Sequence, residues 1–143
     1  MAEAFALDLP PLIGDGVVLV KLELRHSSGA VVSENLYWLG GSSAAYRKLG
    51  RMGAATVTAS ARAEKGRVVV SLKNTGTLAA IETKLTLLKA DGTRLLPAYY
   101  SDNYVSLLPG EARDVVVEYP PGGGASQMRV RGFNVTSAVV AVK

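Results

Sequence analysis

Catalysis near neutral pH needs a group that can hold or move a proton, and this chain offers few. Its 143 residues contain one histidine and no cysteine. Nucleophile–base chemistry wants a base of near-neutral pKa beside a hydroxyl or thiol. His26 stands beside Ser27 and Ser28 in "HSSG" (26–29), but adjacency in sequence is not a dyad in space. The stretch reads as an exposed hairpin turn. Metal sites take several His, Cys or clustered carboxylates, whereas the twelve acids here are spread singly. "EKG", "DG" and "PGE" are turn positions, and Glu23, Glu82 and Glu118 fall on expected strands. Glycoside hydrolysis needs two carboxyl groups across a cleft; Asp102, the one acid in an aromatic setting, has no partner that the sequence names. "PPGGGAS" (120–126) follows a proline pair and leads into a strand, so it lacks the helix N-terminus that lets glycine loops hold phosphate. The sequon "NVT" (134–136) matters only in a glycosylating pathway. No catalytic residue, metal ligand or cofactor is expected, and the isolated chain is not expected to be an enzyme.

One stretch could still recognise something. "YYSDNYVSLLPGE" (99–111) packs three tyrosines, an acid, an amide and a Pro-Gly turn into thirteen positions. As a contact surface, Tyr100, Asp102, Asn103 and Tyr104 offer aromatic faces for sugar C–H surfaces and planar groups for hydroxyls, or a docking point for another domain. As a corner, Tyr99 and Tyr100 point to opposite faces of a strand end. Asp102 and Asn103 can then bond their own backbone in an Asx-turn, and they tolerate unusual dihedrals. Leu107 and Leu108 anchor the chain, and Pro109-Gly110 turns it into the next strand. A buried tyrosine with its hydroxyl tied to backbone would resemble the corner common in β-sandwiches. Trp38, the only tryptophan, is open to the same two readings, sugar platform or filler of a junction.

The elements that must position these residues are strands. Period-2 alternation in "GVVLVKLELR" (16–25) and "AVVSENLYWL" (30–39) predicts a hairpin. "GGSSAAYRKLGRMG" (40–53) predicts a linker with at most one helical turn around residues 44–49. Further strands are expected at 55–63, 67–74, 79–90, 93–100, 112–119, 127–135 and 137–143. Pro97, which has no N–H to donate, marks its strand as an edge or as ending there. Short strands with turn signals every 8–12 residues or so predict an all-β sandwich.

Charge and hydropathy exclude some partners. The net charge of +4 comes from scattered cations, with one cluster in "YRKLGR" (46–51), so no nucleic-acid face is expected. No apolar run reaches the roughly 18 residues of a membrane span. The acidic, proline-broken start "MAEAFALDLPPLIGDG" is unlike a signal peptide.

Two stretches carry a family resemblance. "KLELRHSSGAVVSENLYWL" (21–39) and "LLPAYYSDNYVSLLPGEARDVVVEY" (95–119) resemble the C-terminal immunoglobulin-like region of glycoside hydrolase family 2 enzymes, of the exo-β-D-glucosaminidase and β-mannosidase type. "LKNTGTLAAIETKLTLLKADG" (72–92) is similar to paired strands of the same domains. The resemblance implies an antiparallel immunoglobulin-like β-sandwich over 54–143. It implies a linker at 40–53, and an N-terminal extension and hairpin over 1–39 that is the tail of a preceding sandwich. In such enzymes the catalytic glutamates lie on a barrel, which 143 residues cannot hold. It therefore implies a non-catalytic accessory domain whose partners are the other domains of a parent glycosidase, with amino- or manno-oligosaccharide as a further ligand. Tyr100, Asp102, Asn103, Tyr104 and Trp38 are then the carbohydrate or interdomain contacts. The compartment stays open, a secreted or periplasmic parent being the one that suits such an enzyme. An autonomous carbohydrate-binding module and an adhesive immunoglobulin-like protein are the alternatives.

Overall fold

The structure, a computed structural model, describes residues 6–143. It divides into two compact units, with the boundary between Met52 and Gly53.

In the first unit a short helix, α1 (Pro10–Ile13), opens on prolines, whose missing N–H groups cost nothing in a first turn. Strands β1 (Val17–Arg25) and β2 (Val31–Gly40) then form the expected hairpin, with Leu19 opposite Trp38 and Glu23 opposite Glu34. Two acids face to face would repel; Lys21 lies 3.3 Å from Glu23 and 3.2 Å from Glu34 and offsets that repulsion. The 40–53 stretch holds more helix than expected: α2 (Ser43–Lys48) continues into a 3-10 turn over Leu49–Arg51. The extra order has two causes. The Ser42 hydroxyl accepts a hydrogen bond from the Ala45 N–H and so caps the helix. Tyr46, on α2, donates its hydroxyl proton to the Trp38 carbonyl and accepts from the Gly40 N–H, 3.0 Å in each case. A Cβ at residue 40 would sit 3.0 Å from the Tyr46 ring, which explains the glycine there.

The second unit is an all-β sandwich of antiparallel strands. They are β3 (Val57–Glu64), β4 (Arg67–Asn74), β5 (Ala80–Leu88), β6 (Tyr99–Tyr100), β7 (Val105–Leu107), β8 (Ala112–Glu118), β9 (Gln127–Arg131) and β10 (Ala138–Ala141). One sheet runs β3-β4-β8-β6 and the other β10-β9-β5-β7. Strict alternation builds the core: Val68, Val70 and Leu72 of β4 and Val115 and Val117 of β8 point inward. Leu85 and Leu87 of β5, with Met128 and Val130 of β9, meet them from the other sheet. Each such side chain contributes about 1.5–3 kcal/mol through burial.

Two departures from the expected strands have physical causes. The strand expected at 93–100 shrinks to Tyr99–Tyr100, an edge pairing with Glu118 and Val117 of β8. Before it, Leu95 is buried while Leu96 is exposed, and Pro97 has no N–H for a ladder. Conversely, Val105–Leu107 forms a short strand against β5, where the sequence suggested only anchoring leucines. Its pairing shifts register between Ala80 and Thr83, a β-bulge that puts Glu82 at φ 47°.

Candidate functional site

The aromatic stretch lies where β6, the following turn and β7 meet the second sheet. Tyr99 points to solvent, while Tyr100 packs on the core. The Tyr100 hydroxyl accepts a hydrogen bond of 2.8 Å from the Leu87 N–H of β5. That joins the two sheets through a side chain, as the corner reading expected.

Asn103 does more than a local turn would require. Its Oδ1 accepts from the Leu85 N–H at 2.8 Å, and its Nδ2 donates to the Leu85 carbonyl at 3.2 Å. The side-chain amide thus pairs with β5 as a strand residue would. Asp102 accepts from the Asn103 N–H at 2.8 Å and faces the Arg113 guanidinium at 3.2 Å. The unusual dihedral falls on neither residue but on Tyr104, at φ 60°. Both side chains bond backbone nearby, each accepting from the N–H of the next residue. The Asn103 Oδ1 also accepts from the Tyr104 N–H at 3.0 Å, which fixes the left-handed turn in place.

Tyr104 is therefore the outward member of the group, 53% exposed. Its hydroxyl accepts a hydrogen bond of 2.6 Å from the Lys84 ammonium. That ammonium is 4.8 Å from the ring centroid, so the contact is to the hydroxyl end rather than over the ring face. Trp38 belongs to the first unit, half-buried on β2 opposite Leu19. His26 sits in the exposed hairpin turn, its Nδ1 accepting from the Ser28 N–H at 3.2 Å. The structure brings Tyr100, Asp102, Asn103 and Tyr104 together on one loop and holds Trp38 in the other unit.

A second set of residues joins Tyr104. A shallow depression of about 170 Å³ is lined by Glu82, Lys84, Tyr104, Arg131, Gly132 and Phe133. Phe133 is 57% exposed. Sequence reasoning missed this set, although "RVRGF" (129–133) carries a signal, with cations and an aromatic ring at alternate positions. Lys84 and Tyr104 join only through the pairing of β5 with β9 and β7. No group of three or more acids and histidines able to hold a metal ion occurs among the described residues.

With this geometry in place, the comparisons decide the family. Residues 35–135 match the family described as the exo-β-D-glucosaminidase Ig-fold domain. The chain belongs to this family. The exo-β-D-glucosaminidase of Streptomyces avermitilis is 31% identical over 97% of this chain and 19% of its own length. For the Amycolatopsis orientalis enzyme the figures are 31%, 97% and 16%. A mannosylglycoprotein endo-β-mannosidase from Lilium longiflorum is 34% identical over 48% of this chain. A crystal structure of the A. orientalis exo-chitosanase CsxA superposes with a TM-score of 0.78 at 28% identity, covering 87% of this chain and 18% of that one. The chain thus spans less than a fifth of the length of these exo-β-D-glucosaminidases. As an Ig-fold domain of this family it is an accessory, non-catalytic unit, and the immunoglobulin-like sandwich is the family's fold.

Proposed function

We propose that this chain serves a larger exo-glycosidase of the β-glucosaminidase or β-mannosidase type, packing its sandwich against the other domains and bordering the substrate cleft. The observation that carries this is the coverage: nearly the whole chain aligns, yet only to 16–19% of exo-β-D-glucosaminidases. Residues 54–143 are then the Ig-like module, 40–53 the connection, and 1–39 the tail of a preceding sandwich. The hairpin's apolar side chains support that division. Leu24 and Val32 are each 63% exposed, and Ala45 is the only buried residue in the described part of 6–52. A lone two-stranded hairpin is marginal in water and gains from strands or a sheet beside it.

Within this proposal Tyr104 and Trp38 are contact residues. Asp102 lies at the edge of the contact, and Tyr100 and Asn103 hold the loop that presents Tyr104. Amino- or manno-oligosaccharide enters as the substrate held in the neighbouring cleft.

The test is the size and activity of the native polypeptide, captured from source cells with an antibody raised against this chain. A band many times larger than 15.0 kDa, releasing p-nitrophenol from p-nitrophenyl-β-D-glucosaminide or -mannoside, is expected. A band at 15.0 kDa would overturn the proposal and turn attention to a free-standing carbohydrate-binding module. Retardation in chitosan or mannan gels, lost in Tyr104→Ala or Trp38→Ala, would then establish that module.

A further inference from the structure

We infer that the outer face of β5 and β9, centred on Tyr104 and Phe133, receives an acidic segment from another domain of the same polypeptide; this rests on the multidomain reading above. The register sets up the charge. Lys84 pairs with Arg131 and Thr86 with Arg129, so three cations share one face of the sheet, opposite the core residues Leu85, Met128 and Val130. Glu82 is the only acid lining the depression. Among the described residues Arg129 and Arg131 have no ion pair, and the Lys84 ammonium bonds only the neutral Tyr104 hydroxyl. Three cations beside the single carboxylate of Glu82 leave this face net positive, and a partner carboxylate offsets the excess through charge-assisted hydrogen bonds.

The aromatic content points to a protein rather than a sugar. Exposed Tyr and Phe beside arginine match the composition of an interface centre, where aromatic and Arg side chains dominate the binding energy. Sugar recognition would need planar acceptors for hydroxyls. Of the nearby planar groups, Asn103 is committed to Leu85 and Asp102 to Arg113 and the Asn103 N–H, which leaves Glu82 as the one carboxylate in the lining. Lys84 and Arg131 are donors only, and their charge repels the amines of a chitosan chain. The backbone is also shaped for this face. Glu82 and Tyr104, the two non-glycine residues with positive φ among the described residues, both line the depression. Such strain persists only where surrounding structure holds it. In the relatives most of the length lies outside the matched region, which supports a partner surface in the same polypeptide.

The test follows the Lys84 ammonium by acylation footprinting in the native polypeptide and in the 143-residue chain. Acylation is expected to be at least tenfold slower in the native polypeptide, with a carbodiimide joining Lys84 to an Asp or Glu outside residues 1–143. Arg129→Glu/Arg131→Glu in the native polypeptide should restore the fast rate at Lys84. Equal rates in a long wild-type polypeptide would overturn this inference and leave the multidomain reading standing. A native polypeptide of 15.0 kDa would overturn both.

Discussion

Asn103 shows how one amide can do the work of a strand. It satisfies both the N–H and the carbonyl of Leu85 and also holds the N–H of Tyr104. The sequence pointed to a hydrogen-bonding residue at a turn but not to its partner, because Leu85 is distant in the chain and meets Asn103 only once the sandwich closes. The Tyr100 hydroxyl was legible in kind for a simpler reason: a tyrosine at a sandwich corner commonly ties its hydroxyl to backbone. Truncating Asn103 leaves part-buried N–H groups without acceptors. Asn103→Ala should therefore cost about 2–3 kcal/mol in urea unfolding. Asn103→Asp keeps the acceptor, sets an oxygen against the Leu85 carbonyl, and should also destabilise. A loss below about 0.5 kcal/mol for Asn103→Ala would mean that water replaces the amide without penalty.

At the scale of elements, the strands with clean alternation were legible and the irregular ones were not. β4 buries alternate residues throughout and β8 does so at Val115 and Val117, so sequence and structure coincide there within a residue. In β5 the inward residues are Ala80, Thr83, Leu85 and Leu87, and the step of three marks the bulge. A sequence window sees that step as noise. The bulge brings β5 backbone close to the end of β9: a Cβ on residue 132 would lie 2.8 Å from the Ile81 carbonyl oxygen and 3.0 Å from Val135. The same carbonyl accepts from the Phe133 N–H. Gly132→Ala must push these strands apart and should cost about 1–3 kcal/mol, as overpacking does. It should also speed amide exchange at Phe133. Unchanged stability and exchange would show that the approach relaxes freely.

At the scale of the whole molecule, the core cluster lies entirely between Ala55 and Val142. Residues 53–143 alone should therefore melt in one cooperative transition, and that fragment isolates the acid response of the sandwich. In it, the Arg67 guanidinium hydrogen-bonded to Glu64 holds that carboxyl below the usual range. The Thr93 hydroxyl does the same for Asp91. Depressed carboxyl pKa values contribute stability that is complete above the unfolded values, 4.5 and 3.8, and is lost as pH falls through the folded ones. The melting temperature should hold steady from about pH 7 to 5, fall below about pH 4.5, and fall less in Glu64→Gln/Asp91→Asn. An equal fall in the double variant would place the acid response elsewhere. By itself the sequence determined the fold class, the hairpin and the family, because period-2 burial, turn residues and the "SDNY…LLPGE" run are local patterns. Only the tertiary structure decided which tyrosine faces solvent, what Asn103 holds, and that Lys84, Tyr104, Arg131 and Phe133 share one surface. Those relations join residues far apart in the chain, and the register of β5 against β7 and β9, bulge included, is what sets them side by side.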